Sequence, residues 1–169
     1  MSAAGSGWEI ADDPAAVHDL LLASDAHQAE LTGSPAPARR LASTEFLVGS
    51  GFVHLARVDG AAAAMFTLSD RPPFDLAQAE LPPAVNPLYL QRLAVRPDLL
   101  RAGSTWGVRC VRRAVAEAAG RGADSLRCEA NPDLAGSVGL LTACGFLHSG
   151  PVHADDSGRR WVHLHRPLV

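Results

Sequence analysis

The sequence contains no lysine, and all fifteen of its basic side chains are arginine. Lysine is the residue that forms Schiff bases with carbonyl substrates and that reaches the phosphates in nucleotide-binding P-loops. Its absence excludes both kinds of site from this chain. Any cationic site must therefore be built from arginine.

Cysteine and long apolar runs are also scarce. The three cysteines, Cys110, Cys128 and Cys144, are odd in number and widely spaced, which favours reduced thiols over disulfides or a zinc site. No apolar run approaches the roughly 18 residues that a membrane helix needs. The N-terminus has neither the basic nor the apolar part of a secretory signal. The sequence therefore predicts a cytoplasmic protein that does not enter a membrane.

Net charge and length limit the class of protein further. The formal charge of -3 argues against general nucleic-acid binding. A chain of 169 residues can bury a core of its own, and it shows no internal repeat. We expect a disordered tail of small residues at 1–7 and a single domain at 8–169.

The most informative stretch runs from Tyr89 to Gly122 and has the pattern of a strand, a loop and a helix. Its first part is bulky and apolar, and Arg96-Pro97 would end the strand there. After Gly107, apolar residues recur at helical spacing as far as Gly120. A loop that leads its amide groups into a helix N-terminus is a candidate phosphate site, but the pattern also fits an ordinary α/β crossover.

The other elements follow from caps, turns and alternation. Asp13 and Pro14 provide the start of a helix over 14–24. The run 52–58 alternates and Asp59-Gly60 is a hairpin turn, so 61–68 is the partner strand. The remaining predictions are strands at 8–10, 126–130, 146–153 and 161–165, and helices at 38–44 and 134–143. This order predicts an α/β fold with a mixed sheet and helices on both faces.

The order and several of its motifs resemble the GNAT superfamily of acyl-CoA-dependent N-acyltransferases. The resemblance lies in the LAV-x-P run at 93–97, the loop RAGSTWG at 101–107, the strand segment GADSLRCEAN at 122–131 and the helix end LLTACGF at 140–146. It covers nearly the whole chain. It implies a mostly antiparallel central sheet in which the strands at 90–95 and 126–130 splay apart.

The resemblance also implies acetyl-CoA as co-substrate and no metal. The backbone of the strand at 93–95 would pair with the pantetheine arm, and the loop at 101–107 would wrap the pyrophosphate through its amide groups. The implied cofactor-binding residues are Leu93, Ala94, Val95, Arg101, Ala102, Gly103, Ser104, Thr105, Trp106 and Gly107.

Three positions depart from the family pattern. Counted back from Gly107, Ala102 stands at an Arg/Gln position and Thr105 at a glycine position. Gly103 and Ser104 are an alternative source of amide groups. Where many relatives carry a tyrosine that protonates the departing thiolate of CoA, this chain has Leu141.

Two residues are the candidates for proton transfer. Tyr89 stands near the position where relatives often place a catalytic carboxylate, so it either relays a proton or packs. Glu129 on the neighbouring strand either faces the cleft or is an ordinary salt-bridged acid. We interpret His54 as a structural or exposed histidine. Four arginines either bind the phosphates of CoA or form a solvated helix face. They are Arg101, Arg109, Arg112 and Arg113.

These observations lead to two hypotheses. The first is an N-acetyltransferase in which a primary amine of a small molecule or peptide attacks the thioester directly. The second is a catalytically degenerate GNAT-fold protein that serves as a CoA-binding or protein-interaction module, which Ala102, Thr105 and Leu141 favour. The resemblance also allows a homodimer through the C-terminal strands, with Trp161 at the contact.

Overall fold

The computed structural model describes residues 7–168, apart from the side chain of Ala135. The tail predicted at 1–7 therefore lies, except for Gly7, outside the described residues. The strands are β1 (Trp8–Ile10), β2 (Val53–Val58), β3 (Ala61–Ser69), β4 (Pro87–Val95), β5 (Ser125–Ala130), β6 (Leu147–Ala154) and β7 (Arg160–Pro167). The helices are α1 (Pro14–Thr32), α2 (Leu41–Gly49), α3 (Leu76–Ala79), α4 (Pro97–Arg101), α5 (Trp106–Gly120) and α6 (Ala135–Ala143).

The seven strands form one sheet in the order β1-β2-β3-β4-β5-β7-β6. β4 and β5 are parallel, whereas the pairs β1–β2, β2–β3, β5–β7 and β6–β7 are antiparallel. The predicted mixed α/β class is therefore confirmed. All the predicted strands are present, with bounds that differ by a few residues.

The described residues group into two compact units. The first unit comprises 7–67 and Arg92–Cys110, and the second comprises Leu68–Gln91 and 111–168. Strand β4 and helix α5 each contribute residues to both. The prediction of a single domain stays a prediction, and each unit is described by itself.

In the first unit, helix α1 starts as predicted and runs further. The Asp13 carboxylate accepts hydrogen bonds from the amides of Ala15 (3.0 Å) and Ala16 (3.3 Å), and Pro14 occupies the first turn. The helix continues past the predicted end because 25–32 contains good helix formers and no glycine or proline. It ends at Gly33, whose φ of 69° is left-handed.

The hairpin of β2 and β3 is the best predicted part of the first unit. Asp59 and Gly60 both have positive φ, 51° and 80°, as a tight turn matching the twist of the strands requires. Behind the hairpin lies an apolar cluster to which α1, α2 and both strands contribute. Its members include Val17, Leu21 and Leu55, each at most 2% exposed.

Helix α4 was not predicted, although its signals are present. Pro97 occupies its first turn, Asp98 adds a negative charge there, and Arg101 lies in its last turn. The Arg96 guanidinium binds the Asp98 carboxylate through two nitrogens, at 2.6 and 3.2 Å. This single turn lies in the segment between the β4 strand and helix α5.

In the second unit, β5 is the central strand, with β4 on one side and β7 on the other. β5 pairs with β7 over six residues, from Ser125–Pro167 to Ala130–Val162. It pairs with β4 over three residues, and this pairing ends at Tyr89–Arg127 although both strands continue. The predicted splay of the two strands therefore begins after that pair.

The paired strands of the second unit carry one apolar and one polar face. Leu126, Cys128, Val162 and Leu164 alternate with residues whose side chains are titratable or polar. Because register neighbours lie on the same face, Tyr89, Arg127 and His165 form one row across β4, β5 and β7. Glu129 and His163 form the next row.

Candidate active site

A pocket of about 180 Å³ opens on the polar face of the second unit. Its walls come from β5, β7 and the segment that follows β3. The residues that line it are Pro73, Phe74, Asp75, Gln78, Glu129, Arg159, Trp161 and His163. One of the two predicted catalytic residues, Glu129, therefore lines a concave site.

Glu129 and His163 form an acid–imidazole pair in this pocket. They are register partners on β5 and β7, so the sheet itself brings them together. His163 Nε2 lies 3.4 Å from Glu129 Oε2. His163 is 1% exposed, and neither of its ring nitrogens has a hydrogen-bond partner among the described residues. Nε2 is therefore the ring nitrogen that faces the Glu129 carboxylate, and it is buried with it in the pocket wall.

The surroundings hold the pKa of His163 below its usual value. Burial is the main cause, since it disfavours the imidazolium. The negative charge of Glu129 opposes this effect, and His153 adds to it. His163 is therefore a neutral imidazole at pH 7, which can accept a proton.

Aromatic rings and one arginine complete the pocket. The Phe74 ring lies 4.7 Å from His163, centroid to centroid. The Arg159 guanidinium lies 4.9 Å from the centre of the Trp161 ring and donates a 2.7 Å hydrogen bond to Glu129 Oε1. The Arg159 side chain is 61% exposed. A cation thus already lies between an aromatic face and the carboxylate.

Tyr89, the other predicted catalytic residue, lies beneath the pocket wall. It is 2% exposed, and its hydroxyl accepts a 3.2 Å hydrogen bond from Arg127. Phe74 meets its ring edge-on at 5.8 Å. Arg127 also donates to the carbonyl of Pro82 at 2.6 Å. These contacts make Tyr89 part of the support for Phe74.

The predicted cofactor loop at 101–107 lies in the first unit and is shorter than predicted, because Arg101 ends α4 and Trp106 and Gly107 begin α5, which leaves 102–105 as the connection. The amides of Ala102, Gly103 and Ser104 donate to the carbonyls of α4, at 3.1, 3.1 and 3.2 Å. The first backbone hydrogen bond of helix α5 runs from the Arg109 amide to the Thr105 carbonyl, at 3.0 Å. The amides of 106–108 therefore have no acceptor within the helix, and they point out of its N-terminus.

The Trp106 side chain at this helix N-terminus is packed inside the first unit. Trp106 is 5% exposed and packs edge-on against Trp8, 6.3 Å between ring centres, while the Arg109 guanidinium lies 3.7 Å above its ring. The bulk of Trp106 is thus directed into the unit. Ser104 Oγ is buried and has no hydrogen-bond partner in the described part of the chain.

The remaining predicted cofactor residues also lie in the first unit. Ala94 and Val95 are buried on β4 and Leu93 is half-buried. Arg101 is exposed at the end of α4. Within 7–168, no three side chains of the metal-binding types are grouped to hold an ion. No helix in this range is long and apolar enough to cross a membrane.

The backbone is similar to that of solved acetyltransferases over nearly all of the chain. An acetyltransferase of the GNAT family from Streptococcus agalactiae superposes with a TM-score of 0.74 at 15% identity, covering 98% of this chain and 96% of that one. The ribosomal-protein-S18-alanine N-acetyltransferase from Escherichia coli gives 0.70 at 16% identity, covering 97% and 94%. The chain has the GNAT fold.

A third structure with the GNAT fold comes from Salmonella typhimurium and contains its cofactor, acetyl-CoA. It superposes with a TM-score of 0.63 at 18% identity, covering 96% of this chain and 94% of that one. No family model matches the sequence, and no curated protein sequence matches it. The predicted resemblance is therefore confirmed at the level of the fold.

Sequence reasoning missed several members of this GNAT-fold pocket. His163 and Phe74 were not among the predicted site residues, and Trp161 was predicted only at a dimer contact. The signal for His163 was its alternation with His165, which matches the alternation of Arg127 and Glu129. The sequence does not specify the register of the two strands, so it does not show that these alternating residues of β5 and β7 lie opposite each other.

Proposed function

We propose that this chain is an N-acetyltransferase that transfers an acetyl group from acetyl-CoA to a primary amine by direct attack. The observation that carries the proposal is the Glu129–His163 pair, which lies in a pocket of a GNAT fold. The fold is shared with acetyltransferases, and the pair supplies the proton acceptor that such a reaction needs.

The chemistry of the pocket fits an amine that arrives as a cation. Glu129 and Asp75 are carboxylates in its wall, and Phe74 and Trp161 present aromatic rings. Carboxylates and aromatic faces both attract an ammonium group. Arg159, which lies on Trp161 and donates to Glu129, marks where such a cation would bind.

The proposed reaction moves two protons from the acceptor ammonium. The first passes to the Glu129–His163 pair, which frees the nitrogen lone pair to attack the thioester carbonyl carbon. The carbon–sulphur bond then breaks, the new amide forms, and the second proton leaves the nitrogen. One of the two protons neutralises the departing thiolate and the other goes to solvent. In this proposal Tyr89 supports Phe74, and Leu141 has no role in proton transfer.

The first unit has groups that fit the pyrophosphate of CoA, which would supply the activated acetyl thioester. The open amides of 106–108 and the positive end of the α5 dipole attract an anion. The buried Ser104 hydroxyl, which has no hydrogen-bond partner within 7–168, is a further donor. In this proposal the backbone of Leu93, Ala94 and Val95 holds the pantetheine arm. Arg101, Ala102, Gly103 and Thr105 frame the helix N-terminus.

Two observations favour the second hypothesis, a degenerate binding module. The amides of Ala102, Gly103 and Ser104 donate within α4, so the phosphate would depend on fewer backbone donors than the loop contains. Leu141 is buried and carries no proton to give. Under this hypothesis the protein would bind CoA weakly, or not at all, and would act through its surface.

The decisive experiment is a calorimetric titration with acetyl-CoA, followed in parallel by Trp106 fluorescence. Saturable one-to-one binding in the micromolar range would support the cofactor site. Release of free thiol in the presence of a panel of primary amines would then support acetyl transfer. Absence of binding at millimolar acetyl-CoA would contradict the proposal and favour the degenerate module.

A further inference from the structure

A second histidine, His153, contacts two residues of the pocket wall and is not used by the proposed chemistry. Its ring stacks on Trp161, 5.6 Å between centroids and 17° between planes, and meets the His163 ring edge-on at 5.3 Å and 68°. It is half-buried on β6, the last strand of the sheet, whereas His163 is fully buried on the strand before it. The two imidazoles are therefore direct neighbours in the second unit.

An irregularity in the strand pairing brings His153 to this place. Ser149 pairs with His163, and His153 pairs with Trp161. Between these two pairs β6 carries two residues more than β7. Gly150 lies in this stretch, and its φ of 70° is left-handed, which lets the strand bend there. Such bulges redirect side chains and are frequent beside active sites.

Both rings carry a buried nitrogen whose partner is missing among the described residues. His163 Nε2 faces Glu129, but His163 Nδ1 has no hydrogen-bond partner, and the same holds for Nε2 of His153. The Ser149 hydroxyl, on the register partner of His163, is already bonded to His165 Nδ1 at 2.7 Å. Buried polar atoms are rarely left unpaired in folded proteins. The two nitrogens therefore need each other or a bridging water.

The charges around the two rings favour one proton rather than two. Glu129, Arg159 and Asp75 line the pocket, and Arg159 binds Glu129 at 2.7 Å. Burial is the main cause that lowers the pKa of His163, Glu129 acts against it, and His153 adds to it. A proton on one imidazole therefore disfavours a proton on the other. A pair of this kind passes a proton on more readily than it stores one.

We infer that His153 is a positioning residue that acts through His163 and passes on the proton that the Glu129–His163 pair receives. The acceptor ammonium gives a proton to His163 Nε2. His163 then releases the proton on its Nδ1 to Nε2 of His153, and His153 releases the proton on its own Nδ1 to solvent. One water between the two rings would complete this path, because water-mediated hydrogen bonds are nearly as favourable as direct ones. Both rings end neutral, with the proton on the other nitrogen, and exchange with solvent resets them. The role in catalysis rests on the proposed acetyl transfer.

The first test follows the ring proton of His163 without any substrate. Its exchange with water is measured by NMR on protein labelled with ¹⁵N-histidine, and the signal is assigned by its loss in His163→Gln. His153→Phe keeps a ring on Trp161 and removes both nitrogens. We expect this variant to slow the exchange about tenfold or more, since a buried proton then exchanges only through local opening. His148→Phe, at an exposed histidine of the same strand, is the control and should not change the rate. An unchanged rate in His153→Phe would overturn the proton path.

A second variant separates proton transfer from a structural role. His153→Gln keeps a group that can form hydrogen bonds but cannot take up a proton, so it should slow the exchange as His153→Phe does. We expect both variants to unfold within a few degrees of the wild type, because neither leaves a buried charge. Fast exchange in His153→Gln, or a marked fall of the unfolding midpoint in both variants, would assign His153 a structural role and contradict the inference.

The third test measures acetyl transfer by thiol release at low buffer concentration. We expect His153→Phe and His153→Ala to lower kcat by about 10²-fold, the lower end of the range for a positioned proton-transfer group, with an unchanged KM for the amine. Added imidazole should restore most of kcat in His153→Ala, which leaves room for it, and not in His153→Phe, which fills the space. Wild-type kcat in both variants, or no difference between them in the response to imidazole, would overturn the inference. If the wild type acetylates no amine while the exchange result holds, the proposed function fails and the proton path between the two histidines stands.

Discussion

Strand β5 has two edges that differ in how they are used. Along the β7 edge it makes six registered pairs, which align Glu129 with His163. Along the β4 edge it makes three, ending at Tyr89–Arg127. The strands β4 and β5 are both long enough for more registered pairs, since β4 continues to Val95 and β5 to Ala130.

The difference shows two ways in which a sheet can present chemistry. A complete ladder satisfies the backbone and places side chains in fixed pairs, so the proton transfer proposed at the β7 edge depends on residue identity. An interrupted ladder leaves strand backbone groups without a partner on the neighbouring strand, so the cofactor contact proposed there depends on amide and carbonyl groups that any residue supplies. Substitutions at each edge should therefore change activity or stability in different ways.

Removing the carboxylate from the β7 edge should have the largest effect. Glu129→Gln keeps the size of the side chain but cannot accept the proton of the acceptor amine or stabilise protonated His163. We expect kcat/KM to fall by about 10²–10⁴-fold with an unchanged unfolding midpoint, measured by thiol release. Asp133→Asn, an exposed acid beyond the end of β5, is the control and should retain wild-type rates. Full activity of Glu129→Gln would rule out this pair as the base.

The buried histidines of the same edge should make stability depend on pH. The pKa of His163 is lowered chiefly by burial, and that of His165 by burial and then by Arg127. A histidine whose pKa is lower when folded takes up a proton on unfolding. The stability is therefore complete above the unfolded pKa of about 6.5 and is lost as the pH falls below it.

We expect the free energy of unfolding to fall below pH 6.5 with a slope of up to about 1.4 kcal/mol per pH unit for each proton taken up. Urea unfolding between pH 7.5 and 5.0 measures this slope. His163→Gln should reduce it, because one of the two groups no longer titrates. His148→Gln, which changes an exposed histidine, is the control. An identical slope in His163→Gln would contradict the burial argument for this residue.

At the β4 edge, Tyr89→Phe distinguishes support from proton relay. The change removes the acceptor of the 3.2 Å bond from Arg127 and keeps the ring against Phe74. We expect a loss of about 1 kcal/mol in the free energy of unfolding, with kcat within about threefold of the wild type. A loss of kcat above about a hundredfold at unchanged stability would instead assign the proton relay to Tyr89.

The smallest effect should come from Arg159→Ala. Arg159 binds Glu129 and Trp161 from an exposed position, where a cationic acceptor would compete with it. Because exposed ion pairs are weak, we expect its removal to lower the KM of the amine only about twofold to fivefold, with kcat unchanged. Arg160→Ala, which removes the neighbouring arginine paired with Asp133, is the control. A raised KM in Arg159→Ala would show that Arg159 helps to bind the acceptor.

Local signals predicted much of the fold because their causes lie within a few residues. Asp13 and Pro14 begin α1, and Asp59-Gly60 closes the hairpin, since capping and turn geometry depend on neighbouring backbone groups. Helix α4 was missed although its proline and charges are in place. A single turn has too few residues for a periodic pattern.

The candidate site was only partly predictable. Glu129 was named from its strand, but its partner His163 is 34 residues away in the chain, as their numbers show. The place of His153 beside Trp161 has no local signal either, because it depends on the irregular pairing of β6 with β7.

The sequence by itself determined the seven strands and the four longer helices in their order, the absence of lysine chemistry and the glycine-containing loop before helix α5. These properties depend on composition and short-range geometry. The tertiary structure decided which side chains meet: Glu129 with His163, Tyr89 with Arg127, and Arg39 with Asp25. The physical reason is that strand register and helix packing are set by burial of the whole chain, and a shift of one residue would turn every one of these strand side chains to the other face.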